Sequence, residues 1–179
     1  MFRLLNLFSQ KRTAWLLLTL SALTLEMVAL WLQHVWGIKP CVICVYQRCV
    51  LFAIAGAGII AAIAPRTSLR WVALIIWLYS SWKGITLSWH HTMMLLHPNP
   101  FDSCEFAARF PSWLPLDTWL PQIFVAGSDC ATQTWTLLRL TLPQWLLGIF
   151  NLYFFLAVLI LIAQMFRTVS RTNLHAGQQ

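Results

Sequence analysis

Four cysteines fall into two couples that could exchange electrons: Cys41 with Cys44, and Cys104 with Cys130. Cys41-Val42-Ile43-Cys44 is a Cys-x-x-Cys motif, a pattern shared by zinc ligands, redox dithiols and structural bridges. Zinc would need two more ligands at matching depth; His90 and His91 are the candidates, and no metal is expected. A purely structural bridge is a poor account, because so small a ring removes little chain entropy. Redox use fits best. Pro40 suits the start of a helix, and a helix N-terminus favours a thiolate through its macrodipole and unpaired N–H groups. Arg48 lies four residues beyond Cys44, about 6 Å along the axis and on the same face. A cation there favours a Cys44 thiolate or an anionic partner bound beside it.

Cys104 and Cys130 enclose about 25 residues, and a static bridge across them would contribute about 3 to 4 kcal/mol in the chain-entropy model. A structural role is therefore open. The setting favours exchange: the Phe101–Phe106 stretch reads as accessible and Gly127-Ser128-Asp129-Cys130 as a flexible turn. A dithiol that must meet an external protein gains from a mobile loop. Cys49 has no partner and reads as an inert buried thiol.

The elements that carry these cysteines are apolar. With 59% hydrophobic and 9% charged residues, the composition is not that of a soluble domain. Crossing the hydrocarbon takes about 20 mostly apolar residues. Four stretches qualify, at about 14–33, 42–64, 71–90 and 145–166. The expected fold is an all-α membrane protein, a single 179-residue domain built as a four-transmembrane-helix bundle. Loops fall at about 34–41 and 91–143, the second being the long one between helices 3 and 4. The first stretch follows Arg3, Lys11 and Arg12, but it is too long for a signal peptide and no small-residue cleavage site follows. It reads as a retained helix.

Glu26, Arg48 and Lys83 are single charges inside the first three spans, at similar depth below the ends that carry the cysteines. An arginine deep in a span costs about 2.5 to 3.5 kcal/mol on insertion scales, so its presence asks for a reason. Snorkelling to the surface is the plain one. Three charges from three helices at one level instead suggest a polar pocket, net positive by one, facing a redox ligand that arrives from the bilayer. His91, at the outer end of the third span, could donate to an oxyanion or move protons, with His90 beside it as an ambiguity.

Sidedness follows from Lys and Arg. The N-terminal tail, the Pro65–Arg70 turn and the C-terminal tail hold basic residues and no acidic ones, whereas the long loop mixes Arg109 and Arg139 with four acidic residues. Both termini should be cytoplasmic and both couples outside. The formal charge of +7 then reflects orientation, and nucleic acid is not an expected partner. Trp15 and Trp71 at one face, and Trp31, Trp36, Trp89 and Trp145 at the other, would form the aromatic belts. Small residues in the second span (Ala53, Ala55, Gly56, Ala57, Gly58, Ala61 and Ala62) allow close helix approach. The apolar run from Trp113 to Val125 fits equally a segment lying flat on the membrane and a loop packed on the helix ends.

These features together resemble the DsbB family, bacterial inner-membrane proteins that use quinone to oxidise the periplasmic protein DsbA. The resemblance rests on Phe2-Arg3-Leu4-Leu5-Asn6, on Lys39-Pro40-Cys41-Val42-Ile43-Cys44 with Tyr46 and Arg48, and on Arg109-Phe110-Pro111. It extends to Trp113-Leu114-Pro115-Leu116-Asp117, to Pro143-Gln144-Trp145-Leu146-Leu147-Gly148 and to the four paired cysteines. It implies a protein-dithiol:quinone oxidoreductase of the inner membrane. A Cys104–Cys130 disulfide would accept electrons from a DsbA-like partner through Cys104. The Cys41–Cys44 pair would reoxidise it through a transient Cys41–Cys130 bridge. The freed Cys44 would act on ubiquinone or menaquinone from the membrane pool that feeds the respiratory chain. The expected ligand contacts are Cys44, Arg48, His91, Gln47, Glu26 and Lys83. Gln47 departs from the acidic residue of the family, which argues against proton handling at that position. A tetraspan protein with purely structural disulfides, or a relay for a different dedicated partner, are the competing readings.

Overall fold

A computed structural model describes residues 11–65, 67–97, 108–112, 115–128, 130, 136–137 and 139–176, with side chains through Met165 at the C-terminal end. The N-terminal Phe2–Asn6 motif, Trp113-Leu114, Arg66 and Cys104 lie outside them. The chain is mostly helical. Long helices run over Arg12–Val35 (α1), Val42–Ile63 (α2), Leu69–Leu96 (α3) and Leu142–Ala176 (α6). Between α3 and α6 come two single-turn helices, Leu116–Trp119 (α4) and Pro121–Phe124 (α5). A small antiparallel hairpin of Thr136–Leu137 (β1) and Leu140–Thr141 (β2) follows them, pairing Thr136 with Thr141.

Among the described residues, three helices are long and apolar enough to cross a membrane: α1, α2 and Leu142–Met165 of α6. α3 is 28 residues long, but its serines, tryptophans and Lys83 dilute its apolar character. Their burial is inverted relative to a soluble bundle. Leu20, Met27, Ile59, Ile63, Ile75 and Phe155 face outward, while Thr19, Glu26, Gln47, Arg48, Ser81, Ser88 and Gln164 are buried between helices. Apolar residues all round a helix, with polar ones turned inward, match a hydrocarbon solvent.

The long helices pack as a row, α1 on α2, α2 on α3 and α3 on α6. Small residues set the spacing. A Cβ on Gly58 would strike the Thr19 hydroxyl and approach the Trp15 carbonyl at 2.9 Å, and one on Gly84 would strike the Phe150 ring. Of the small residues expected in the second span, Gly58 is at the α1 contact, whereas a Cβ on Gly56 would meet nothing within 4 Å. Across the seam between the two end helices, the Ser21 and Tyr153 hydroxyls meet at 2.9 Å. Ala14 and Leu17 share a groove with Leu159 and Ile160, so the start of α1 and the late part of α6 lie at one end of the bundle.

Trp15 corrects one expectation. It is 2% exposed and meets Trp77 edge-on with centroids 5.9 Å apart, so it belongs to the core and not to an interfacial belt. Trp31, Trp36 and Trp89 are exposed. α3 also runs beyond the expected end at residue 90 to Leu96, because a helix need not stop where the apolar run stops. The apolar loop divides between the two expectations. Phe124 is buried, 6.0 Å from both the Phe52 and Phe110 rings, while Trp119, Leu120 and Val125 stay exposed.

Candidate redox site

Cys41 is the N-cap of α2. Its extended backbone turns the sulfur back over the first turn, where it accepts the Cys44 N–H at 3.2 Å, as a serine or aspartate oxygen does at other helix starts. The two sulfurs are 2.6 Å apart and unbonded, between a disulfide length of about 2.05 Å and ordinary contact. Cys41 is fully buried, and Cys44 is partly open. The hydrogen bond with Cys44, and then burial, push the Cys41 thiol well up, so Cys41 is the member that keeps its proton.

Cys130 sits beside Cys41 in a small buried cluster with Ile43 and Met94. It is 1% exposed and disulfide-bonded. Two backbone-directed contacts hold its segment there. The Gly127 N–H donates to the Pro40 carbonyl at 2.9 Å, and the Ser128 hydroxyl donates to the Lys39 carbonyl at 2.7 Å. A Cβ at position 127 would press on the Lys39 side chain at 3.1 Å.

His91 lies between the couples. Its Nε2 is 3.8 Å from the Cys41 sulfur and 3.3 Å from the Cys130 carbonyl oxygen. Burial, more than any charge, lowers its pKa to about 4, so the ring is neutral at ordinary pH. His90, one residue earlier, is exposed. Helical rotation thus settles which histidine meets the sulfurs. The nitrogen and sulfur ligand atoms of Cys41, Cys44 and His91 lie within 4.8 Å of one another.

On its other side Cys44 lines a cavity of about 250 Å³ between α1, α2 and the start of α6. Its walls are mostly aliphatic, with Pro40 and Trp145 among them and three polar side chains, Glu26, Gln47 and Arg48. Arg48 Nε is 3.4 Å from Glu26 Oε1, and Arg48 Nη1 donates to the Ile123 carbonyl at 2.8 Å. Gln33, from α1, donates to the neighbouring Gln122 carbonyl at 2.8 Å. Gln47 Nε2 donates to Ser88 Oγ at 3.0 Å, and Gln47 Oε1 has no hydrogen-bond partner among the described residues.

Two expected ligand contacts stand elsewhere. Lys83 is exposed, with Nζ 5.8 Å from the Tyr79 ring centroid, and it does not line the cavity. Its depth matched that of Glu26 and Arg48, but α3 turns Ser80, Ser81 and Gly84 inward and Lys83 outward. The charges inside therefore pair, Glu26 against Arg48, instead of leaving a net positive hollow. His91 is likewise absent from the cavity wall and belongs to the sulfur cluster. Trp145, Gln33 and the Ile123 carbonyl had not been singled out as site groups. Trp145 carried a family-motif signal; a backbone carbonyl carries none.

The family model for "Disulfide bond formation protein DsbB" matches residues 11–160. A Salmonella typhimurium protein named "Disulfide bond formation protein B" is 57% identical over 171 residues, 96% of this chain and 97% of its own. The protein of the same name from Escherichia coli K12 is 56% identical over the same coverage.

Proposed function

The chain belongs to the DsbB family of disulfide bond formation proteins, and from that premise we propose that it oxidises a DsbA-like periplasmic dithiol and passes the electrons to membrane quinone. It is a disulfide-forming oxidoreductase with helices suited to a membrane. The finer reading gives four spans, at about 14–33, 42–64, 71–90 and 145–166, in the bacterial inner membrane. Both termini face the cytoplasm and the sulfurs face the periplasm. The uneven basic residues support this orientation, and the nearness of the start of α1 to the late part of α6 supports both termini lying on one side.

The observation that carries the proposal is the placement of Cys44. Its sulfur meets Cys41, next to the bonded Cys130, and the residue lines a largely apolar cavity that also holds a paired arginine. In the proposed cycle Cys104, outside the described residues, is the partner of Cys130. A thiolate of the reduced DsbA-like protein attacks Cys104, breaking its bond to Cys130, and the partner's second thiolate then closes the partner's own disulfide. Two electrons and two protons have moved to Cys104 and Cys130. The Cys130 thiolate next attacks Cys41 of a closed Cys41–Cys44 bridge and releases Cys44 as a thiolate. Cys104 resolves the transient Cys41–Cys130 bond, restoring the outer disulfide.

Quinone supplies a two-electron, two-proton acceptor. The cavity is slightly smaller than the usual small-molecule site, its walls are largely apolar, and Gln47, which lines it, has an orphaned acceptor in Oε1. Ubiquinone or menaquinone fits these requirements. Arg48, held by Glu26 and the Ile123 carbonyl, presents positive charge beside Cys44 and stabilises its thiolate. His91 serves the exchange between Cys41 and Cys130 from its place between them.

Anaerobic mixing of the purified protein, a reduced DsbA-like partner and each quinone tests the reading. Loss of quinone absorbance in proportion to disulfide formed is the expected result. Full turnover by a Cys44→Ser variant, or no quinone consumption by the parent, would overturn it.

A further inference from the structure

We propose that the open Cys41/Cys44 dithiol, together with His91, is a redox-gated site for a thiophilic divalent cation of the zinc class. Capture of the metal does not depend on quinone being the acceptor; only the idea that the pair cycles between open and closed rests on the reading above.

The geometry is that of an incomplete tetrahedron. Zinc–sulfur bonds of about 2.3 Å and zinc–nitrogen bonds of about 2.0 Å imply ligand–ligand edges of about 3.5 to 3.8 Å. His91 Nε2 and Cys41 Sγ are 3.8 Å apart. The Cys41 and Cys44 sulfurs, at 2.6 Å, must separate by about 1 Å to reach such an edge. Cys44 has the freedom to move, since it is partly open and lines the cavity while Cys41 and His91 are fully packed. The Cys130 carbonyl, 3.3 Å from Nε2, is an oxygen donor at the fourth side. Two thiolates and one imidazole are a donor set of the zinc type, and Cys41 and His91 are fully buried.

The bookkeeping is simple. Two thiols bind one M²⁺ and release two protons, with no change of oxidation state. Closing the disulfide removes two electrons and both thiolate ligands, so the cation must leave. A bound cation blocks the closing step in return, so metal and oxidation exclude one another.

Cobalt is the probe, because thiolate coordination gives it a charge-transfer absorption. The test uses the full-length protein in detergent with Cys49→Ala, Cys104→Ser and Cys130→Ser, leaving Cys41 and Cys44 as the two thiols. Reduced under anaerobic conditions, it should bind one Co²⁺ per chain, displaced by Zn²⁺, and should release it when a disulfide-forming oxidant is added. His91→Gln should weaken binding at least tenfold, His90→Gln should change it less than twofold, and Cys44→Ser should abolish the absorption. Absence of the absorption in the parent, or His91→Gln binding as tightly as the parent, would overturn the proposal. If His91→Gln does not fold, unchanged cobalt affinity in Cys44→Ser overturns it equally. Cobalt binding by protein that fails to consume quinone would count against the quinone reading alone.

Discussion

Arg48 and Glu26 are each other's reason for being buried. Taken separately, either charge would be costly among apolar helices, and together they meet at 3.4 Å with a loop carbonyl completing the arginine. Removing one partner leaves the other uncompensated. Arg48→Leu should therefore lower stability by about 3 to 5 kcal/mol, and Arg48→Leu with Glu26→Leu should recover most of that loss. Unfolding of the detergent-solubilised variants measures both. Lys83→Leu, on the outward face, should stay within about 0.5 kcal/mol of the parent. His91 gives a pH dependence of known sign. Its folded pKa of about 4 lies below the ordinary 6.5, so the unfolded chain binds the extra proton between those values. Its contribution is complete above pH 6.5 and is lost as pH falls toward 4. A stability profile should show that decline, and His91→Gln should flatten it.

At the scale of elements, α2 does two jobs with two stretches of sequence. Its first turn presents the sulfurs, and its middle is shaved to small residues so that α1 can approach. Gly56 and Gly58 separate these ideas experimentally. An added methyl at Gly58 meets Thr19 and the Trp15 carbonyl, whereas at Gly56 it meets nothing within 4 Å. Gly58→Ala should cost about 1 to 3 kcal/mol and Gly56→Ala should be neutral or better, as read by unfolding in detergent. The cap is equally local: Pro40 and the Cys-x-x-Cys spacing made the helix start legible, and Cys41 is that cap. The loop was harder. Its apolar run pointed to burial, but only packing could decide that Phe124 goes in while Trp119 and Leu120 stay out.

For the whole molecule, the arrangement has meaning only if the sulfur end faces an oxidising compartment. In intact cells treated with reductant, an impermeant thiol reagent should label Cys44, and it should fail to label a cysteine introduced at Thr67, near the opposite end. Labelling of Thr67→Cys, with Cys44 protected until the cells are permeabilised, would reverse the orientation. The row of helices also explains why the cavity is where it is. Chain-adjacent helices pack along their length, and the two ends of the row, α1 and α6, leave a seam whose upper part holds Cys44 and Arg48.

Residue type and spacing alone were enough to mark the sulfurs, the helix start just after Pro40, the apolar helices and the positions of Glu26, Arg48 and Lys83 along them, because those properties are set along one dimension. Rotation about a helix axis is not. It turned Lys83 away from its two supposed companions, chose His91 over His90, and moved Trp15 from the surface to the core. Which faces meet depends on how helices distant in sequence pack, and that is decided by contacts such as Gly58 on Thr19 and Gly127 on Lys39. No single segment contains both halves of such a contact.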